Sequence, residues 1–85
     1  MANCYVVQRQ WQDSNGNRDS SVPNIYLNPT KARDDFQRII GKIVLDWEGE
    51  LCSLDITRSP NCFDLYDKDT CEFDRVEIIE RELIE

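Results

Sequence analysis

The chain has 85 residues, ten basic and seventeen acidic, for a formal net charge of −7, and it contains no histidine. That length fits one small domain with a thin core and no deep enclosed active site. The missing imidazole excludes Ser-His-Asp and Cys-His nucleophile systems and removes the commonest metal ligand.

Charge is uneven along the chain. Residues 1–45 carry six basic and four acidic side chains, net +2, whereas residues 46–85 carry four and thirteen, net −9. Phosphate backbones and anionic membranes need the opposite sign. No direct nucleic-acid or membrane binding is therefore expected, and the matching partner is a protein with a basic surface. An acidic surface that serves solubility alone is the alternative.

Residues 1–5 lack the basic start and apolar core of a secretory signal, so a cytoplasmic location is expected. Cys4, Cys52, Cys62 and Cys71 are then free thiols, although Cys62 and Cys71 could become cross-strand neighbours and pair in an oxidising setting. Their spacing matches no paired zinc motif, so neither a metal nor a cofactor is expected.

Residues 4–11 (CYVVQRQW) predict a first strand, with Tyr5, Val7, Arg9 and Trp11 on one face. Residues 13–21 are a polar turn region around Asn15-Gly16, and residues 22–27 predict a short second strand. Pro23 cannot donate to a ladder, which puts that strand late or at an edge.

The helix is the clearest element. Asn28 is a good N-cap and Pro29 suits the first helical position. Ala32, Phe36, Ile39, Ile40, Ile43, Val44 and Trp47 then fall on one stripe at helical period, and Gly49 is a natural stop. The expected span is residues 29–48.

The acidic half predicts three more strands, residues 51–57, 62–66 and 71–83, with turns at 58–61 and 67–70. The adjacent Ile78 and Ile79 fit either a strand covered on both faces or a bulge. The expected fold is α+β: a single domain in ββαβββ order, with an antiparallel sheet and one long amphipathic helix across one face.

The C-terminal third from Cys62 to Leu83 (CFDLYDKDTCEFDRVEIIEREL), with its alternating acidic ending Val76-Glu77-Ile78-Ile79-Glu80-Arg81-Glu82-Leu83, together with a Cys4-Tyr5-Val6-Val7 opening and an Ala32-x-x-x-Phe36 helix, resembles short acidic proteins of phages and bacterial mobile elements. Several proteins of that character are anti-CRISPR or other anti-defence inhibitors. The resemblance implies a non-enzymatic inhibitor in the cytoplasm of a host bacterium, acting on a CRISPR effector or other defence nuclease. It carries no site residues. Many such proteins place a histidine in the turn before the last strand, and this chain does not.

No phosphate-cradling loop can be built from Gly16, Gly41 and Gly49, and no metalloprotease motif occurs. Asp64, Asp67, Asp69, Glu72 and Asp74 gather around the last turn. They fit a solvated turn, a partner-binding face, a fragment of a calcium loop lacking its Gly and bidentate Glu, or a glycosidase pair without a cleft. Carboxylates spaced along a strand and turn imitate the charge of a nucleic-acid backbone, and they equally protect a sheet edge from aggregation. The candidate partner-binding residues are Asp64, Asp67, Asp69, Glu72, Asp74, Glu77 and Trp11, with Trp11 the aromatic anchor. A homodimeric interaction module is the competing expectation.

Overall fold

The stripe on the helix decides the architecture, because a face of that width needs a sheet to cover it. A computed structural model, which describes residues 3–82, shows that arrangement. The elements are β1 (Asn3–Gln12), β2 (Arg18–Ser20), β3 (Asn24–Tyr26), α1 (Pro29–Asp46), a 3-10 turn (Leu51–Ser53), β4 (Asp55–Ser59), β5 (Cys62–Tyr66) and β6 (Phe73–Glu82). The sheet runs β2-β1-β6-β5-β4, with β3 pairing β1 beside β2, and every pairing is antiparallel. This is the expected α+β fold in ββαβββ order, with one further short strand, β2, ahead of the expected second one.

Asn28 caps α1 as its identity predicts: its Oδ1 accepts from the backbone N–H of Thr30 at 2.8 Å and of Lys31 at 3.4 Å. Ala32, Phe36, Ile39, Ile40 and Ile43 are all buried, and they meet Val7, Phe63, Leu65 and Val76 from the sheet. The helix packs chiefly over β6, β1 and β3. No helix among the described residues is long and apolar enough to cross a membrane.

β1 and β6 form the centre, in unbroken register from Asn3↔Glu82 to Gln12↔Phe73. There is no bulge at the paired isoleucines. Ile78 packs against the core under α1, and Ile79 lies on the open face opposite Val6. A central strand accepts apolar residues on both faces, which is why the alternation fails there.

Several boundaries differ from expectation, and α1 stops at Asp46, two residues before the expected end at 48. The strand expected at 22–27 is shortened to Asn24–Tyr26, and a further short strand, Arg18–Ser20, lies inside the expected turn 13–21; between them the Ser21 N–H donates to Arg9 O at 2.9 Å, and its Oγ accepts from Arg9 N at 3.1 Å. Pro23 follows with no N–H to give. The strand expected from residue 51 begins at Asp55, because residues 51–53 form the 3-10 turn, and it runs on to Ser59. The last strand begins at Phe73, after Cys71 takes a left-handed conformation, φ +63; Leu83, at its expected end, lies outside the described residues.

The cysteine pairing is also corrected. Cys62 is opposite Glu77 at one end of the β5–β6 hairpin, whereas Cys71 lies beyond the Tyr66↔Phe73 pair at the other. The intervening strand spans about 13 Å at ~3.3 Å per residue, too far for a disulfide. All four thiols are free.

Candidate functional site

One end of the molecule, where α1 stops and β6 starts, is organised around a buried carboxylate. Residue parity places Arg9 on the same sheet face as Val7, and Asp74 on the same face as Val76, both toward the helix. Arg9 Nε donates to Asp74 Oδ1 at 2.9 Å, and Arg9 Nη2 to Asp74 Oδ2 at 2.5 Å. Trp47, just past the last residue of α1, donates its Nε1–H to the same Oδ2 at 3.2 Å. Arg9 Nη2 also reaches Asp46 Oδ2 at 2.9 Å. The hydrogen bonds Arg9 donates to Asp74 raise the Arg9 pKa above its usual range, outweighing burial, and Asp46 adds to it. One guanidinium thus ties β1, β6 and α1 together, its charge shared by two carboxylates.

Around this anchor the topology gathers acidic groups from separate segments. Asp46 ends α1, Glu48 and Glu50 follow it, Asp55 opens β4, and Asp67, Asp69 and Glu72 occupy the β5–β6 turn. Asp13 sits in the loop after β1, which the Gln12 side chain ties to the β5–β6 turn by donating to Cys71 O at 2.7 Å. Asp13 caps its own loop: its Oδ1 accepts from the N–H groups of Asn15 and Asn17, both at 2.9 Å, and these bonds hold its carboxyl below the usual range, Asn17 foremost. Asp55 is paired with Lys68 at 3.4 Å, both exposed. Glu48, Glu50, Asp67, Asp69 and Glu72 make no ion pair among the described residues. A cleft of about 250 Å³ opens here, with Trp11, Trp47 and Phe73 as aromatic walls and Asp13, Glu72 and Asp74 along it.

The helix adds to this field. A helix is stabilised by acidic residues at its N-terminus and basic ones at its C-terminus. α1 has neither: no acidic residue in its first turn, which holds Lys31, and no basic residue in its last, which holds Asp46. The side-chain charges therefore reinforce the backbone dipole and make the C-terminal end more negative.

The seven residues singled out from the sequence divide into three groups. Asp67, Asp69, Glu72 and Trp11 come together at the acidic end. Asp74 is at that end too, but only 3% exposed and fully engaged, so it is the anchor and not a contact surface. Asp64 and Glu77 lie on the open face of the sheet, mixed with Arg75. Arg75 Nη2 donates to Glu77 at 3.4 Å. Asp64 is opposite Arg75, yet its Oδ1 and the Arg75 Nε are both buried without a partner. Burial raises the Asp64 pKa against the attraction of Arg75.

Asp13, Asp46, Glu48, Glu50 and Arg9 complete the end and were not singled out from the sequence. The available signal was Arg9 and Asp74, opposite charges interrupting the apolar faces of two strands. Among the described residues no three metal-ligating side chains converge. Compared with protein-family models, with curated proteins and with solved structures, the chain gives no match.

Proposed function

We propose that this chain is a non-catalytic binding protein that places its acidic end on a basic surface of another protein, in the position a nucleic-acid strand would take. The observation that carries the reading is the helix whose charges run with its dipole and end among unpaired carboxylates from three segments. Such an arrangement costs stability locally, and natural proteins concentrate local violations at functional sites. Trp11 and Phe73 border the cleft and supply the aromatic contact that a hot spot uses. The sequence resemblance extends the reading to inhibition of a host defence nuclease such as a CRISPR effector, in the bacterial cytoplasm.

The experiment is a pull-down from bacterial lysate, followed by affinity measurement with the captured partner. The variant E48Q/E50Q/D67N/D69N/E72Q is expected to weaken binding by at least about a hundredfold. Wild-type affinity is expected to fall as salt rises from 50 to 500 mM (about 0.05 to 0.5 M), because exposed charges are screened. Binding that survives both changes, or turnover of a substrate by the purified chain, would sink the reading.

A second reading, self-association, is favoured by the uncovered sheet face. Val6, Ile25 and Ile79 lie there together, and Ile25 is 67% exposed. Light scattering at two concentrations separates it from the first, since a dimer through that face grows with concentration and is insensitive to the five-fold neutralisation.

A further inference from the structure

We infer that the cleft between α1 and the β4–β5 turn binds a phosphate monoester. It has a volume of about 410 Å³ and lies on the flank of the helix, apart from the acidic end. Arg33 and Gln37 of α1 form one wall, Arg58 and Ser59 of β4 the other, and the nearly buried Phe36 and Ile40 the floor. The volume is in the range of small-molecule sites.

The two arginines give the cleft its chemistry. In a chain of net charge −7, neither makes an ion pair among the described residues. Arg33 is held by neutral acceptors: Nη1 donates to Pro60 O, and Nη2 to Asn61 Oδ1 at 3.0 Å. Its guanidinium is also 5.5 Å from the Phe36 ring. Arg58 lies 5.4 Å from the ring of Phe63, its cross-strand neighbour. Both groups are positioned, and neither is neutralised.

A guanidinium has five N–H donors, so Arg33 keeps several for a ligand after two bonds. Two positive groups on opposite walls match a dianion whose oxygens point several ways. A planar carboxylate is satisfied by one arginine fork and leaves the second charge unused. The floor of Phe36 and Ile40 takes the organic part of the ester.

The test is a titration with phenyl phosphate, inorganic phosphate and phenylacetate, followed by NMR of the arginine Nε–Hε and Gln37 amide signals. Phenyl phosphate is expected to give saturable shifts confined to Arg33, Arg58 and Gln37, and to bind tighter than either other probe. R58Q is expected to weaken it by about tenfold. R33K keeps the charge but loses the planar fork, and is expected to weaken it as well. Circular dichroism checks that both variants fold; Arg58 is on an exposed strand where the change is tolerated. Shifts that do not saturate or that spread equally to Arg18 and Arg81, unchanged affinity in R58Q, or phenylacetate or inorganic phosphate binding as tightly would each overturn the assignment.

Discussion

Each end of the helix has a buried carboxylate, and the two are held by different kinds of neighbour. Asp35, toward the N-terminal end, takes Arg38 Nε at 3.0 Å and Nη2 at 2.6 Å from one turn along, and Asn24 Nδ2 at 3.0 Å from β3. Its guanidinium partner is more than half exposed, at 58%. Asp74, at the C-terminal end, takes Arg9, which stands 65 residues away in sequence and is only 22% exposed. Water can take the place of Asp35 around the exposed Arg38, but the Arg9 charge is enclosed and shared with Asp46. The first carboxylate fastens an edge strand to the helix; the second holds the centre of the sheet to the end that carries the exposed acidic groups.

The largest expected effect breaks that contrast at its stronger member. D74A removes one partner of a buried pair and leaves Arg9 with the exposed Asp46 alone and Trp47 Nε1 without its acceptor, a loss of about 3–4 kcal/mol in urea unfolding. D35A loses hydrogen bonds from groups that re-enter water, and is expected to cost about 1–2 kcal/mol. In a domain this small the two differ by roughly 10 °C in melting temperature. Equal losses would mean that exposure of the arginine partner does not govern the energetics.

These two sites also mark how far the sequence could be read. The Asn28 cap and the core positions from Ala32 to Ile43 are local, so helical period reveals them; the Asp35–Arg38 pair is equally local but was not singled out. The order of elements along the chain was equally legible, from alternation and turn residues, whereas the order β2-β1-β6-β5-β4 within the sheet was not. The Arg9–Asp74 bond was not, because it depends on the register of two strands at opposite ends of the chain. The acidic end was half legible: net −9 beyond residue 45 was visible, as was the cluster at Asp67, Asp69 and Glu72. That Glu48, Glu50 and Asp13 join it, while Asp64 and Glu77 do not, follows from strand parity and from where the helix stops, which composition does not encode.

The helix charges give the next prediction. K31E places an acid at the N-terminal turn and E48K a base just past the C-terminal one, so each is expected to stabilise the fold by about 0.3–1 kcal/mol. Thermal unfolding at low ionic strength reads the gain, and at ~1 M salt it shrinks toward zero. E48K is further expected to weaken partner binding while K31E does not, which separates the functional end from the other. Unchanged stability in both would show that the dipole plays no part in the field at the acidic end.

The smallest effect compares Asp35 with Asp64, whose pKa values move in opposite directions. Burial pushes Asp35 up, but hydrogen bonds from Arg38, Asn24 and Tyr26 outweigh it and hold it below the usual range. A depressed carboxyl stabilises the fold above its unfolded pKa of about 3.9, and that contribution is lost as pH falls through the folded value. Asp64 is raised, chiefly by burial. A raised carboxyl favours the fold below the unfolded pKa and loses that contribution as pH rises through the folded one. D64N is therefore expected to stabilise the protein at pH 7 by roughly a few tenths of a kcal/mol, since solvent screens a half-exposed group. The gain disappears below about pH 4. D35N destabilises at pH 7, and its deficit closes as pH drops below about 4. Urea midpoints between pH 2.5 and 7 (about 3 to 7 in practice) measure both curves. If D64N lowers stability at pH 7, attraction to Arg75 exceeds the cost of burying Asp64, and the unpartnered pair on the open face is a net contributor to the fold.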